Sequence, residues 1–344
     1  MKPKKIVTIG GGTGSFVLLS GLKKYPVDIS AIVSMADDGG SAGVLRDELG
    51  VLPPGDVRQC LVALSESSEK MRELMNYRFE DGRLQGQSFG NMLVSALEKI
   101  CGGMASGLEE AAKILKVYGR VLPVTEDDMR LVIELENGHV LYGEDQLDSN
   151  QELRQQGIML KKIALQSRVR ANSQAIDALK GADVIILGPG DQFGSLIPNL
   201  LVKEIAQTIK TAKAQVVYVA NLTNKKGLTT GWTACEYVAS LEKYIGKGRI
   251  DVVIWNTRRI PKALIEKYEE QEGDHAIVEA GDEQTKTYKL CKADVANVRE
   301  VIRRKGDAIA STRSFIRHDS DKLARAIMFV LDFNENRKII REIV

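Results

Sequence analysis

Ile6-Val7-Thr8-Ile9-Gly10-Gly11-Gly12-Thr13-Gly14-Ser15 is the stretch that decides the fold. Its first four residues are a short β-rich run that reads as a buried strand. Beyond the glycines, Phe16, Leu19 and Leu22 recur at helical spacing with Leu18 alongside. Ile29 to Met35 then reads as a second strand. Strand, glycine turn, helix, strand is the start of a doubly wound α/β sheet, with a right-handed crossover. The glycines permit a sharp turn and remove Cβ atoms that would block a ligand. The N–H groups of the helix start are unpaired, and the helix dipole adds positive charge there, so a phosphate is favoured. Gly10 and Gly12 match the first two positions of a dinucleotide fingerprint, but Ser15 stands where its third glycine would be, and no lysine follows in Walker register.

Working outward, the second strand ends in Ala36-Asp37-Asp38-Gly39-Gly40-Ser41. An acidic residue at this point accepts hydrogen bonds from ribose hydroxyls in a dinucleotide fold. Two adjacent carboxylates can instead hold Mg²⁺, and an Asp-Gly turn with no ligand is the plain alternative. Pro53-Pro54-Gly55-Asp56 stops one element, and Asp56 suits the N-cap of a helix running to about Ser65. Helical spacing follows at about 70–78, 89–100 and 107–118, with Ser88 placed to cap the second. Between Met129 and Tyr142 the period changes to alternation around Asn137-Gly138, a hairpin in which Asn-Gly supplies positive φ angles. This predicts a small α+β subdomain inserted at about 120–170 in a single Rossmann-like domain spanning 1–344.

Strand–helix alternation then resumes. Val184-Ile185-Ile186-Leu187 is a buried strand ending in Gly188-Pro189-Gly190-Asp191, a second glycine turn on the same sheet edge as Gly10. Leu196 to Ile209 reads as a helix, Val216 to Ala220 as a strand, Thr233 to Tyr244 as a helix and Asp251 to Trp255 as a strand. Asn221 follows the second of these strands and is equally well a turn residue or a ligand contact. The tail from Asp321 to Ile343 reads as one long amphipathic helix or two shorter ones, which leaves room for a homodimer.

Composition excludes several classes. The 344 residues carry 48 Lys and Arg against 46 Asp and Glu, a net charge of +2, which gives no basic footprint for nucleic acid. The four cysteines are scattered without a CxxC pair, which fits a reducing compartment. No segment approaches the ~20 apolar residues of a membrane span, and the apolar run after Lys5 is too short for a signal peptide, so a cytoplasmic protein is expected. His139, His275 and His318 are the only histidines and are dispersed, so each reads as a surface or turn residue. Trp232 and Trp255 read as core.

The motif series Gly10-Gly11-Gly12-Thr13-Gly14, Ala36 to Ser41, Leu52-Pro53-Pro54-Gly55-Asp56-Val57-Arg58, Phe89-Gly90-Asn91 and Gly188-Pro189-Gly190 resembles the gluconeogenesis factor family (YvcK type), related to 2-phospho-L-lactate transferase (CofD type). The resemblance runs from about residue 4 to residue 340. It implies a cytoplasmic, nucleotide-sugar-binding regulatory factor, with UDP-N-acetylglucosamine as an example ligand, needed for cell shape and growth on gluconeogenic carbon. The transferase relatives imply the alternative, a metal-dependent transfer of a phospholactyl group from a nucleoside-diphosphate donor. By the matching motifs, Gly10 to Gly14 with Ser15, and Gly188, Pro189 and Gly190, would cradle phosphates. Asp37 and Asp38, with Gly39, Gly40 and Ser41, would face the sugar or a Mg²⁺ ion, and Asp56, Arg58 and Asn91 would line the rest of the cleft, to which the position of Asn221 after its strand adds one more candidate.

Three departures from that family's pattern stand out. Gln87 replaces a common histidine and cannot shuttle protons as His would. Asp191 opens a stretch that usually reads Ser-Leu-Tyr-Thr-Ser and puts a negative charge beside the expected phosphate site. Leu222-Thr223-Asn224-Lys225-Lys226-Gly227 replaces Met-Thr-Gln-Pro-Gly-Glu. A nicotinamide oxidoreductase is the third reading, on the strand-turn-helix start alone. With no evident acid, base or nucleophile, a small-molecule binding protein is expected ahead of an enzyme.

Overall fold

The computed structural model describes residues 2–150, 153, 156–281, 287–298 and 316–343, with side chains placed to residue 332. The first half of the chain runs β1 (Lys4–Gly10), α1 (Gly12–Leu22), β2 (Val27–Val33), α2 (Gly40–Leu49), α3 (Gly55–Leu64), α4 (Glu69–Asn76), α5 (Phe89–Cys101), α6 (Met104–Ile114) and β3 (Arg120–Pro123). An insertion follows, with β4 (Leu131–Leu135), β5 (Val140–Tyr142), α7 (Asp145–Ser149) and β6 (Leu160–Leu165). The second half runs α8 (Ser173–Lys180), β7 (Val184–Leu187), α9 (Ile197–Leu201), α10 (Lys203–Thr211), β8 (Gln215–Val219), α11 (Ala234–Ile245), β9 (Val252–Asn256), α12 (Lys262–Glu272) and β10 (Lys289–Ala293). A short antiparallel pair, β11 (Ala296–Asn297) and β12 (Arg317–His318), leads into α13 (Ser320–Ile343).

The main sheet has seven strands in the order β10-β9-β8-β7-β1-β2-β3, and every pairing in it is parallel. Strands buried on both faces carry continuous apolar runs. Accordingly, all four residues of β7 are buried, as are the last five of β1. Order reverses between β1 and β7, which is the topological switch point where such sheets leave a crevice at their carboxyl edge. Helix α1 leaves the sheet there and packs against α3 and α13.

The inserted sheet is antiparallel, in the order β5-β4-β6. It begins at Leu131, because β3 is the edge strand of the main sheet and not part of the insertion. Its buried face, with Ile133, Leu135, Leu141 and Ile163, joins the same core as the main sheet. The hairpin turn differs from the expected two-residue type. Gly138 has φ +87, and Asn137 is not among the positive-φ residues. Leu135 N–H reaches His139 O at 2.9 Å, so the loop holds three residues with glycine in its last place, the usual geometry for that length.

Other elements shift in instructive ways. α2 was hidden by Gly39-Gly40-Ser41, which read as a turn. Gly40 does turn, with φ +48, but Gly43 N–H already reaches Gly39 O at 3.1 Å and the helix has begun. The helix expected from Leu196 to Ile209 is broken. Leu196 N–H reaches back to Asp191 O at 2.9 Å in a wide turn over Gln192–Leu196, and Val202 is extended between α9 and α10. Such wide turns concentrate at functional sites.

The turns after β1 and β7 lie against each other. A Cβ placed on Gly14 would overlap the Pro189 carbonyl, a backbone group with nowhere to go. Gly14→Ala is therefore expected to cost roughly 1–3 kcal/mol by forcing the turns apart. A thermal melt checks this, and an unchanged melting temperature would contradict the contact.

Candidate functional site

A cavity of about 480 Å³ opens at the switch point, within the size range of small-molecule sites. Gly11, Gly12, Thr13 and Gly14 line it from α1, and Pro189 and Gly190 from the turn after β7. Asp37, Gly39, Gly40 and Ser41 line it from the end of β2, Asp56 and Arg58 from α3, Asn91 from α5 and Asn221 from beyond β8. The sequence-derived residues thus converge, with four set back from the surface. Gly10 is the last residue of β1, where a side chain would press on buried Ser15 at 2.8 Å. Gly188 turns out of β7 with φ +77, and Asp38 faces elsewhere.

The acids at the first turn are arranged differently from the expected adjacent pair. Asp38 Oδ1 accepts the Asp145 N–H at 2.8 Å, and its carboxylate sits against Gly143, so it anchors the insertion. Asp37 Oδ1 accepts the Gly39 N–H at 3.0 Å and remains at the cleft. Its acidic neighbour is Asp56, at the start of α3. Asp56 is not the N-cap of α3 but its second residue, following Pro54 and Gly55. Its carboxylate is turned instead onto the first glycine turn, where a Cβ on Gly11 would overlap it and one on Gly12 would lie 3.5 Å away. Burial first, and then the Asp56 carboxylate, push the Asp37 carboxyl up from 3.8 to about 7, against the Gly39 N–H and Arg46. Arg46 is buried, and its Nη1 reaches the Asp37 carbonyl at 3.3 Å while Nη2 reaches Met129 O at 2.6 Å, tying the acidic loop to the insertion.

Among the described residues no group of three or more His, Cys, Asp or Glu side chains gathers as metal ligands. Asp37 and Asp56 together suit a hard cation such as Mg²⁺ only if waters and ligand phosphates complete its shell.

One wall of the cleft is a chain of hydrogen bonds. Arg58 Nε donates to Asn91 Oδ1 at 2.8 Å, Asn91 Nδ2 to Ser41 Oγ at 3.3 Å, and Ser41 Oγ to Gln87 Oε1 at 2.8 Å. Arg58 Nη1 also donates to Asn76 Oδ1 at 2.7 Å. Gln87 therefore serves as the acceptor that fixes the Ser41 hydroxyl. Ser88 caps α5, accepting from Asn91 N–H at 3.4 Å.

The opposite wall resolves the Asp191 charge. Asp191 Oδ1 accepts the N–H groups of Gly194 at 2.7 Å and Phe193 at 3.0 Å, capping the wide turn. Its Oδ2 meets Lys225 Nζ at 3.2 Å. Burial alone would raise this carboxyl, but Lys225 and the Gly194 N–H outweigh it and hold the group below the usual carboxylate range. Two of the departures from the family pattern are thus each other's partner. Asn221 clamps the same turn, with Nδ2 donating to Gly190 O at 3.0 Å and Oδ1 accepting from Tyr218 Oη at 2.9 Å. Trp232 is half-buried and stands edge-on to both Phe193 and Tyr237, with ring centroids 5.7 and 5.3 Å away.

Arg78, Glu144, Lys225, Tyr237 and Arg317 also line the cavity, and sequence reasoning did not place them in the site. That reasoning also read His318 as a surface or turn residue. His318 is buried and lines the cavity, and burial lowers its ring to about 4, so it is neutral at pH 7. Neighbouring Arg317 and Asp319 suggest a polar surface; the pairing of β12 with β11 is what carries the ring inward.

Known proteins resemble this chain over nearly its full length. Residues 6–296 match the family described as 2-phospho-L-lactate transferase CofD. The gluconeogenesis factor of Bacillus subtilis is 38% identical, over 96% of this chain and 98% of its own. That of Listeria innocua is 34% identical, over 98% of each. A crystal structure of a UPF0052 family member from Bacillus halodurans superposes with a TM-score of 0.84 at 34% identity, covering 95% of this chain and 99% of that one.

The raised Asp37 carboxyl has a pH consequence. The native group keeps its proton up to about pH 7, whereas an unfolded aspartate releases it near ~4. The native state thus binds more protons in that window, and stability falls as pH rises through it. Asp37→Asn removes this loss. Discounted for partial exposure, the variant is expected to gain roughly 1–3 kcal/mol over wild type at pH 8 and little at pH 4. Melts across that range check it, and a pH-independent difference would contradict the assignment.

Proposed function

This chain belongs to the 2-phospho-L-lactate transferase CofD family, among its gluconeogenesis factors, and on that premise we propose that it is a regulatory factor that binds a UDP-sugar in the switch-point cleft and supports cell shape and growth under gluconeogenic conditions. The observation that carries the reading is the start of α1. Gly11 precedes the helix with no side-chain cap, and no acidic residue lies in its first turn, while Gly12 holds φ +61. We read the N–H groups of Gly12, Thr13 and Gly14, at the positive end of the helix and beside the Asp56 carboxylate, as the donors to a diphosphate.

Recognition is favoured over turnover by how the polar lining is used. Arg58, Asn91, Ser41 and Asn221 direct hydrogen bonds at one another's loops. These bonds hold the cleft in one shape, as a recognition site requires. A nucleotide sugar also suits a cleft that runs from α1 to Tyr268 and Arg317, longer than a phosphate alone needs.

One observation favours the second reading, a metal-dependent transferase acting on a nucleoside-diphosphate-linked donor. Asp37 and Asp56 stand beside the proposed phosphate position, where a divalent cation would offset their charge and bind the ligand's phosphates. Such a cation would stabilise a pyrophosphate leaving group.

Calorimetric titration with UDP-N-acetylglucosamine, UDP-glucose, GDP and NAD, each with and without Mg²⁺, separates the readings. The expected outcome is binding of a UDP-sugar that is recovered intact after overnight incubation. A Mg²⁺-dependent preference for the guanosine nucleotide would favour the transferase. Gly12→Asp adds a side chain at positive φ and a third carboxylate near Asp56, and is expected to abolish binding while leaving the fold. A folded Gly12→Asp protein with wild-type affinity would contradict the placement.

A further inference from the structure

The two glycine turns look alike in sequence but differ as anion seats. At the first, the residue before α1 is Gly11, which has no side chain with which to cap the helix, and the Asp56 carboxylate lies beside it. At the second, the chain's own carboxylate fills the seat. Asp191 Oδ1 takes the N–H groups of Phe193 and Gly194, which are the donors the turn would otherwise present to a phosphate. A half-buried carboxylate placed there keeps its charge because a cation faces it and those N–H groups bond to it.

That cation is Lys225, and its backbone is fixed. Lys225 N–H donates to Thr229 Oγ1 at 2.9 Å, and Thr229 Oγ1 accepts from Tyr237 Oη at 2.9 Å. Tyr237 Oη also reaches Asn224 Oδ1 at 3.0 Å. The edge-on rings of Phe193, Trp232 and Tyr237 tie this loop to the Asp191 turn. Both partners line the cleft, and their side chains are 18% and 32% exposed, so solvent screens the ammonium less than it would at the surface. The Nζ–Oδ2 distance of 3.2 Å is longer than the ~2.7–2.9 Å of a tight ammonium–carboxylate bond. An ammonium has three N–H donors, so it can hold a carboxylate with one and turn another to an incoming phosphate.

We propose that Lys225, aimed by Asp191, is the residue that binds the diphosphate of the ligand from the far wall of the cleft, and that the Gly188–Gly190 turn takes no phosphate itself. The assignment rests on the nucleotide reading of the cleft and deepens it. The ligand class is a nucleoside diphosphate or its sugar conjugate. Its phosphates lie between the N–H groups of α1 and the Lys225 ammonium. Asp191 is a positioning residue, and it sets the affinity by competing for the same cation.

The pair makes opposite demands on its two variants, which a purely structural ion pair would not. Wild type, Lys225→Met, Lys225→Arg and Asp191→Asn are titrated with UDP and UDP-N-acetylglucosamine at low and high salt, with melts to confirm folding. Lys225→Met is expected to weaken both ligands about tenfold or more, and Lys225→Arg to restore most of the loss, as expected for one charge-assisted bond. Asp191→Asn keeps an oxygen for the cap, removes the carboxylate charge that competes for Lys225, and is expected to tighten binding several-fold with a steeper dependence on salt. Wild-type affinity in folded Lys225→Met, or weaker binding in folded Asp191→Asn, would overturn this assignment alone. A wild-type protein that binds neither ligand would overturn the nucleotide reading and this assignment with it.

Discussion

The close approach of the turns after β1 and β7 is the contact on which the rest of the site depends. Strand order reverses between those strands, so each turn runs away from the other and a crevice opens between them. The crevice stays narrow because Gly14 lets α1 rest against the Pro189 carbonyl. Gly11 likewise admits the Asp56 carboxylate. These glycines owe their place as much to loop packing as to room for a ligand. The hydrogen-bonded wall from Arg58 through Asn91 to Ser41 and the clamp of Asn221 on Gly190 then hold the mouth in one shape.

A cleft proposed to hold a diphosphate and yet lined with acids needs an electrostatic explanation, and its two sides differ in how their acids are compensated. On the far side, Asp191 is neutralised by two N–H donors and Lys225, which keep it ionised in spite of burial. On the near side, burial first, and then repulsion from the Asp56 carboxylate, favour keeping a proton on Asp37 up to about pH 7. A proton or a divalent cation between them removes the charge that would repel a diphosphate. Asp38, adjacent in sequence, adds only a smaller push on Asp37. It holds the Asp145 N–H and so links the insertion to the main sheet.

Local patterning made the core of this fold readable. β1, its glycine turn and α1 follow from a four-residue apolar run, glycines and helical spacing, and the same logic found β7, β8 and β9. α2 was obscured because its first residues, Gly40 and Ser41, are also good turn residues, and β3 because four residues show too little period. The hairpin was placed correctly but its loop was not, since loop length depends on which residues pair across it. In the site, residues next to glycine turns were legible. Lys225 was not, because beside Lys226 it reads as a solvated charge, and only its partner 34 positions away reveals the role. His318 was hidden for a similar reason, since pairing of β12 with distant β11 buries it. Gln87 and Asp191 were recognised as departures, but their meaning lay in Ser41 and Lys225, which only the folded chain brings to them.

The central claim is that the start of α1 is the seat of a diphosphate. Amide hydrogen exchange on the peptide covering Gly10 to Ser15, with and without saturating UDP-N-acetylglucosamine, tests it most directly. The account requires ligand to slow exchange at Gly12, Thr13 and Gly14, with the peptide covering the exposed hairpin at Asn137 unchanged. Ligand binding that leaves exchange at Gly12 to Gly14 untouched, while protecting another part of the chain, would contradict it.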